Sequence, residues 1–273
     1  MELIEILKVV VLGIVEGVTE WLPISSTGHM LLVDEFIHMN VSESFKDMFF
    51  VVIQLGAILA VVMLFWDKMW PFQTKDKSKP VIRKDVFSMW FKVVVACIPG
   101  AIVTLLFDDY IEAHLHTPTV IALALVVYGV AFIVIENWNI KRTPKVLALE
   151  DISYKTAFII GLFQVLSIIP GTSRSGSTII GALTIGVSRV AAAEFTFFLA
   201  GPVMIGLSFI KILKFGFSFT SVELMTLAIG CVVAFLVSVL VIKFLMSYIK
   251  KRDFKIFGWY RIVLGVILLL YFM

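Results

Sequence analysis

Charged residues and cysteines are scarce in this sequence. Only 16% of the 273 residues are Asp, Glu, Lys or Arg, against about a quarter in an ordinary soluble domain. The 23 Lys and Arg exceed the 20 Asp and Glu by only three, and so small an excess among so few charges is not typical of nucleic-acid binding, which needs Lys and Arg clustered on one face. Cys97 and Cys231 stand apart in apolar runs and give no pattern for a disulfide framework or a cysteine metal site. We therefore expect no nucleic-acid partner.

Hydrophobic residues are abundant instead, at 60% of the chain, compared with about 45–50% in soluble domains. Six runs approach the roughly 20 apolar residues with which a helix crosses the hydrocarbon layer. None has the alternating pattern of a membrane β-barrel, so the sequence predicts an all-α integral membrane protein, a polytopic helical bundle. The predicted spans are Phe49–Trp66, Val86–Phe107, Pro118–Trp138, Phe195–Leu213, Leu224–Tyr248 and Ile256–Met273.

Lys and Arg concentrate in three loops, which predicts the orientation. Asp67–Asp85, Asn139–Lys155 and Ile249–Lys255 carry most of the cations and are predicted to be cytoplasmic by the positive-inside rule. The loop Asp108–Thr117 has no Lys or Arg and is predicted to lie outside, as is the link Lys214–Glu223. Both termini are then expected outside.

Two further stretches, 3–39 and 152–187, do not fit as simple spans. Each contains a polar break, at Pro23–His29 and at Pro170–Ser177, followed by an apolar run of only ten residues. Ten helical residues rise about 15 Å, half the thickness of the hydrocarbon layer. We therefore predict two re-entrant helix hairpins, entering from opposite sides of the membrane.

The two hairpins resemble each other at an offset of 148 residues, which predicts an inverted-topology repeat. The matched positions are Gly13 to Glu16 with Gly161 to Gln164, Ser25 with Ser173, Thr27-Gly28 with Ser175-Gly176, and Phe49-Phe50 with Phe197-Phe198. The predicted repeats are residues 1–138 and 139–273, each a hairpin plus three spans. Such repeats place a site near the midplane of many transporters, so a lipid-phosphate flippase or secondary transporter is an alternative to an enzyme.

Glu16 and Glu20 lie four residues apart, on one face of a helix. A carboxylate in a membrane helix costs about 2.5–3.5 kcal/mol, so the pair needs compensation. One interpretation is a helix-end pair that reaches the headgroups. The other is a functional pair that binds a divalent cation or moves protons, and Mg²⁺ or Ca²⁺ suits carboxylate ligands.

Arg174 stands in a run of small and hydroxyl residues, Pro170-Gly-Thr-Ser-Arg-Ser-Gly-Ser-Thr178, that leads into a short helix. A helix N-terminus with free N–H groups and a guanidinium is suited to phosphate. Ser173, Arg174, Ser175 and Thr178 are therefore candidate phosphate-binding residues. The alternative is that Arg174 pairs with an acid for structure alone.

The equivalent break in the first hairpin supplies Ser25, Ser26, Thr27 and His29. Their hydroxyls and imidazole suit phosphate binding, nucleophilic attack or proton transfer near neutral pH. Gln54, a polar residue within a predicted span, is expected to support a re-entrant backbone. Lysines and an arginine near span ends are expected to anchor helices at the headgroups; they are Lys92, Lys211, Lys243 and Arg261.

Three motifs resemble those of the bacterial undecaprenyl-diphosphatase family associated with bacitracin resistance. They are Glu16-x-x-x-Glu20, Ser26-Thr27-Gly28-His29 and the run from Pro170 to Thr178. The resemblance extends over essentially the whole chain. It implies dephosphorylation of undecaprenyl diphosphate, which recycles the lipid carrier for cell-wall synthesis, at a site facing outward from the bacterial plasma membrane.

The resemblance also implies which residues form the site: Glu16, Glu20, Ser26, His29, Ser173, Arg174 and Thr178. A lipid diphosphate is then the expected substrate, and Mg²⁺ or Ca²⁺ at Glu16 and Glu20 the expected cofactor. The attacking group is left open among His29, Ser26 and water, and a homodimer is left open as well.

Overall fold

A computed structural model describes residues 2–73, 80–115 and 117–272. Outside the described residues lie Met1, residues 74–79 of the first basic loop, His116 and Met273. The α-helices of the described residues are α1 (Leu3–Thr19), α2 (Ser26–Phe36), α3 (Glu43–Val52), α4 (Gln54–Leu64), α5 (Trp66–Met69), α6 (Lys84–Leu115), α7 (Pro118–Asn139), α8 (Tyr154–Val165), α9 (Arg174–Thr184), α10 (Arg189–Phe215), α11 (Ser221–Ile249) and α12 (Lys255–Phe272). Short 3₁₀ turns, Leu149–Asp151 and Leu166–Ile168, flank α8.

Six of these segments are long and apolar enough to cross a membrane, which confirms the predicted all-α membrane protein. They are Glu43–Leu64, Lys84–Phe107, Pro118–Asn139, Arg189–Phe215, Ser221–Ile249 and Lys255–Phe272. Each contains or overlaps one predicted span. The first is made of α3 and α4, which meet at a break at Ile53.

The predicted loop Asp108–Thr117 is mostly helical, so that prediction was wrong. α6 continues without interruption to Leu115. No glycine or proline interrupts residues 108–115, and the first proline after them, Pro118, opens α7. The helix therefore extends beyond its apolar part until the next helix begins.

The two polar breaks are also shorter than predicted. α2 begins at Ser26 and α9 at Arg174, so both polar runs form the first turns of helices. In each case a serine just before the helix accepts a hydrogen bond from a glycine N–H: Ser25 Oγ from Gly28 N, and Ser173 Oγ from Gly176 N. This capping satisfies an N–H group that has no partner within the helix, which allows a hydroxyl-rich sequence to begin one.

Close helix packing brings the parts of the bundle together. α1 packs on α11, α8 on α6, and α7 on α12, while α10 packs on α3, α4 and α9. Glycines permit this approach: a Cβ on Gly56 would lie 2.1 Å from the carbonyl oxygen of Cys231, and one on Gly161 would lie 2.4 Å from that of Ala96. The largest apolar core surrounds Trp21 and Phe197, next to the first turn of α9.

The hairpins share a local geometry. Ser25 and Ser173 have φ values of 76° and 72°, and α2 and α9 each have 11 residues. Eleven helical residues rise about 16 Å, less than the hydrocarbon thickness. Re-entry into the membrane and the division into repeats 1–138 and 139–273 stay predictions.

Candidate active site

The first turns of α2 and α9 are joined through one carboxylate, that of Glu20. Its Oε1 accepts a hydrogen bond from Arg174 Nη2 at 2.9 Å, and its Oε2 accepts one from Ser26 Oγ at 2.6 Å. The Glu20 side chain is 7% exposed and that of Arg174 11%. The two predicted hairpins therefore meet at the largely buried Glu20–Arg174 ion pair, with the Ser26 hydroxyl beside it.

The Arg174 guanidinium is held at a second point by α10. Its Nη1 donates to the carbonyl oxygen of Thr196 at 2.9 Å. The Thr178 hydroxyl is close by, and it shares a hydrogen bond with Thr196 Oγ1 at 2.9 Å while donating to the carbonyl oxygen of Arg174. The buried Thr178 side chain thus holds α9 against α10, with its hydroxyl already used.

Ser173 and Ser175 complete the start of α9. Ser173 Oγ lies 3.1 Å from Ser175 Oγ. The buried Ser175 hydroxyl also lies 3.3 Å from the carbonyl oxygen of Glu20, to which it donates. The structure therefore brings all four predicted residues of this run together, and two of them, Ser175 and Thr178, tie α9 to its neighbours.

Backbone N–H groups are left free at both helix starts. Gly28 N and Gly176 N are bonded to the capping serines, and His29 N and Ser177 N to serine carbonyls. The preceding N–H groups have no acceptor among the described residues; they belong to Ser26, Thr27, Arg174 and Ser175. Free N–H groups at a helix N-terminus attract anions.

Glu16 lies one helical turn before Glu20 and is almost completely buried. Its Oε1 has no hydrogen-bond partner, and its carboxylate interacts electrostatically with Glu20 and Arg174. An unpartnered buried carboxylate oxygen is costly. The position favours a ligand or cation over the predicted alternative of a pair at the headgroups.

Glu16 and Glu20 are the two carboxylates of this region that could hold a cation. Among the described residues no group of three or more His, Cys, Asp or Glu side chains is placed to hold a metal ion. Mg²⁺ nevertheless commonly binds one or two carboxylates together with substrate phosphates. The unpartnered oxygen of Glu16, next to Glu20, fits such a mode of binding.

His29 is held between a carbonyl and a phenol. Its Nδ1 lies 2.7 Å from the carbonyl oxygen of Ser25, and its Nε2 lies 2.6 Å from the hydroxyl of Tyr260 on α12. Because a carbonyl can only accept, Nδ1 carries the proton, and in neutral His29 the Nε2 lone pair accepts from Tyr260. The imidazole is therefore fixed as one tautomer.

An apolar cavity opens beside this pair. Its volume is about 510 Å³, and His29 and Tyr260 are among the few polar groups on its wall. The remaining lining comes mainly from apolar residues of α1, α2, α11 and α12, such as Val18, Val33 and Phe244, and from Leu22 between α1 and α2. The polar candidate site therefore adjoins this apolar cavity.

Arg261 is fully buried, so its predicted role as a headgroup anchor was wrong. Its guanidinium donates to the carbonyl oxygens of Pro23 at 3.0 Å, Gly171 at 2.7 Å and Thr172 at 3.0 Å. These carbonyls belong to the breaks of both hairpins, and none of the described carboxylates pairs with Arg261. Its side chain reaches inward because those carbonyls offer the partners that a buried guanidinium requires.

Two predicted residues stand apart from this network. Thr27 is exposed, and its hydroxyl makes no hydrogen bond to the other site residues among the described residues. Gln54 opens α4 and is half-buried, and its side chain makes no hydrogen bond to either hairpin among the described residues. Its predicted supporting role stays a prediction.

Sequence reasoning missed Tyr260, Arg261 and Thr196. One signal was present, since Tyr260 and Arg261 are adjacent polar residues within an otherwise apolar helix. The position near the start of α12 suggested the headgroups instead. Thr196 gave no signal, because it acts through its backbone carbonyl and a single hydroxyl.

Known proteins resemble this chain over nearly its whole length. A family model described as bacitracin resistance protein BacA matches residues 9–267. A protein named undecaprenyl-diphosphatase from Enterococcus faecalis is 74% identical over 270 residues, which cover 99% of this chain and 98% of that protein. Proteins of the same name from Lachnoclostridium phytofermentans and Desulfitobacterium hafniense are each 62% identical over 273 residues, which cover all of this chain and 99% and 98% of theirs. With its motifs gathered in one site and this match over most of its length, the chain belongs to the BacA family of bacitracin resistance proteins.

Proposed function

We propose that this protein hydrolyses undecaprenyl diphosphate to undecaprenyl phosphate and inorganic phosphate, which recycles the lipid carrier for peptidoglycan synthesis and confers bacitracin resistance. The observation that carries the proposal is the Glu20 carboxylate, which holds the Arg174 guanidinium on one oxygen and the Ser26 hydroxyl on the other. This arrangement would bring a cationic side chain and an attacking hydroxyl to one point, which supports the proposal. The relatives named above are diphosphatases, and nothing in their names supports the transporter alternative.

Arg174 and the two helix starts bind the diphosphate in this proposal. The guanidinium can offer two parallel hydrogen bonds to phosphate oxygens once substrate competes with Glu20. The free N–H groups of Ser26, Thr27, Arg174 and Ser175 add donors and the favourable ends of two helix dipoles. Ser25 and Ser173 cap the helices and so keep these groups in place.

Ser26 is the attacking group that the geometry favours. Its Oγ lies 2.6 Å from Glu20 Oε2, the arrangement of a nucleophile next to its base. Oγ would bond to the terminal phosphorus while its proton passes to Glu20, and the bond from that phosphorus to the bridging oxygen breaks, releasing lipid monophosphate. Water then attacks that phosphorus, the bond to Ser26 Oγ breaks as Glu20 returns the proton to Oγ, and inorganic phosphate is released.

His29 is left with proton transfer. Its Nδ1–H is committed to the Ser25 carbonyl and its Nε2 faces Tyr260, so its lone pair is already in use. The departing lipid monophosphate leaves as an anion, and in the second step the Nε2 lone pair of His29, once it releases the Tyr260 hydroxyl, can accept a proton from the attacking water. A phosphoserine at Ser26 that survives in a slow variant supports this assignment, whereas a phosphohistidine at His29 contradicts it.

Glu16 and Glu20 would hold a divalent cation, Mg²⁺ or Ca²⁺. When bound, the cation neutralises charge on the phosphate oxygens. Support comes from the unpartnered Oε1 of Glu16. The lipid tail would lie in the apolar cavity beside His29, where Leu22 and Phe244 contribute to the wall.

The wider architecture is an inverted repeat with the site facing outward from the bacterial plasma membrane and both termini outside. Support for the repeat comes from contacts that occur twice. α1 packs on α11 as α8 packs on α6, and Glu16 and Gln164, 148 residues apart, each bury an unpartnered side-chain oxygen. Size measurement of the purified protein in detergent tests whether it forms a homodimer.

The experiment is release of inorganic phosphate from undecaprenyl diphosphate by purified protein in detergent. We expect Arg174→Ala to lower turnover about 100-fold or more, because a preorganised donor to the phosphate is lost. Arg174→Lys keeps the charge beside Glu20 but not the forked geometry, so it should remain folded and still be slow. Near-normal turnover in both variants would contradict the proposed site.

A further inference from the structure

A second cavity lies at the other end of α9, away from the candidate active site. Its volume is about 830 Å³. Its walls come from the end of α7 and the following loop, the turn between α9 and α10, and the end of α11. The 11 residues of α9 separate it from Arg174 by about 16 Å, and none of the candidate active-site residues lines it.

The cavity is strongly basic. Its charged lining consists of four cations and one carboxylate: Arg142, Lys145, Arg189, Lys250 and Glu136. Glu136 is almost fully buried and accepts hydrogen bonds from Arg189 Nε at 2.9 and 3.1 Å and from the backbone N–H of Phe254 at 2.9 Å. The only acid is therefore already neutralised within the protein.

Three cations remain without an acidic partner. Within the described part of the chain, no carboxylate lies within salt-bridge distance of Arg142, Lys145 or Lys250. Arg142 is held in position over the ring of Trp138, with its guanidinium carbon 3.5 Å from the ring centroid. A cavity with three uncompensated cations is complementary to an anion.

Hydrogen bonds between the surrounding loops hold the walls of the cavity in place without a ligand. The loop after α7 is tied to the turn before α10 by Lys145 N to Gly186 O at 2.8 Å and by Ser188 N to Val146 O at 2.8 Å. Asn139 Nδ2 also donates to the carbonyl oxygen of Leu183 at 3.1 Å. The cations therefore project from a fixed frame and not from a free loop.

Apolar side chains share the lining with the cations. Ile185, Val190 and Ile249 contribute to the wall, and Ile140 at the rim is 66% exposed. Basic pockets between membrane helices on the cytoplasmic side bind phospholipid head groups. The loops that supply the cations are those predicted to be cytoplasmic.

We propose that this cavity binds the head group of an anionic phospholipid, with Arg142, Lys145 and Lys250 contacting the phosphate and the apolar wall contacting the glycerol and upper acyl chains. The ligand chemistry is a phosphate ester that carries an apolar part. The proposal is independent of the hydrolytic site, because no residue is shared between them.

Thermal unfolding of the purified full-length protein in neutral detergent tests the proposal. Dioctanoyl phosphatidylglycerol is the probe, and dioctanoyl phosphatidylcholine, with the same chains but no net charge, is its control. We expect phosphatidylglycerol to raise the melting temperature by about 2–4 °C, since a ligand that binds only the folded state stabilises it. Phosphatidylcholine should give a much smaller rise.

Two matched triple variants locate the effect. Arg142→Gln, Lys145→Gln and Lys250→Gln together remove the unpaired cations of the cavity, and the rise should disappear. The control variant removes the same number of neighbouring exposed cations that do not line it: Lys141→Gln, Lys251→Gln and Arg252→Gln. It should respond as the unmodified protein does.

Three outcomes would overturn the proposal. They are an equal rise in both triple variants, no rise in the unmodified protein, or an equal rise with inorganic phosphate at the same concentration and ionic strength. The last outcome would assign the cavity to free phosphate and not to lipid.

Discussion

Buried charged side chains define the candidate active site, and they differ in how fully their hydrogen-bonding capacity is met. Glu20 is paired with Arg174 and Ser26. Arg261 is surrounded by backbone carbonyls. Glu16 has an oxygen with no partner. Because removing charges from water is costly, unmet bonding capacity at one point is where a ligand gains most.

Glu16→Gln tests the proposed cation site. The change keeps the size of the side chain and removes its charge, so Mg²⁺ or Ca²⁺ should be needed at about tenfold higher concentration or more. The measurement is phosphate release after chelation, titrated with each cation. Glu35→Gln is the control, because Glu35 is an exposed carboxylate on α2. Unchanged cation dependence in Glu16→Gln would contradict the site.

Arg261 should act as a positioning residue for both helix starts. Arg261→Met removes its hydrogen bonds to Pro23, Gly171 and Thr172. We expect kcat per folded molecule to fall about tenfold or more with little change in KM, because displaced donors no longer fit the transition state. Arg261→Lys, which keeps the charge and some of these bonds, should recover part of the activity.

Arg189→Met is the matched control for this loss. It removes the partly exposed guanidinium that pairs with the buried Glu136 carboxylate, so folding is weakened at the far end of α9. Turnover per folded molecule should be retained. If both variants lose activity only in proportion to folded protein, Arg261 has no role beyond stability.

Among the elements, the capped starts of α2 and α9 set which backbone donors are available at the candidate site. Ser25 and Ser173 adopt φ values that favour glycine, and strain of this kind is retained where the surrounding structure enforces it. Their hydroxyls accept from Gly28 and Gly176. The N–H groups immediately before these glycines are thereby left for a ligand.

Packing between α8 and α6 should depend on the absence of a side chain at Gly161. A Cβ there would meet the backbone of Ala96 at 2.4 Å, so Gly161→Ala should destabilise the protein by about 1–3 kcal/mol. Gly206→Ala in α10 is the control, because nothing lies within 4 Å of the added atom. Melting temperatures compare the two, and equal values would contradict the packing argument.

At the scale of the whole molecule, the distribution of Lys and Arg predicts the orientation. In a background without Cys97 and Cys231, Lys141→Cys should resist a membrane-impermeant maleimide in intact cells, since its loop is predicted to be cytoplasmic. Ser218→Cys, in the link predicted to lie outside, should react. Both side chains are exposed at these positions. The reverse pattern of labelling would show that the orientation is inverted.

The sequence supported some predictions better than others. The spans were predictable because hydropathy is summed over neighbouring residues. The helical structure of the residues after Phe107 was not predictable from hydropathy, because a helix can continue through polar residues when no glycine or proline ends it. Arg261 was misassigned because distance along the chain does not indicate which carbonyls a long side chain can reach. The second helix of each hairpin begins within the predicted polar break, because hydroxyl residues favour both turns and helix caps and do not by themselves mark where a helix begins.

By itself the sequence determined that this is an all-α membrane protein, and its motifs determined the family. Both depend on local composition and order, which a linear chain contains in full. Tertiary structure decided that Glu20 pairs with Arg174, 154 residues away, that Arg261 joins the two breaks, and that His29 faces Tyr260. Such contacts depend on how helices pack, and packing depends on the shapes of all the side chains between them.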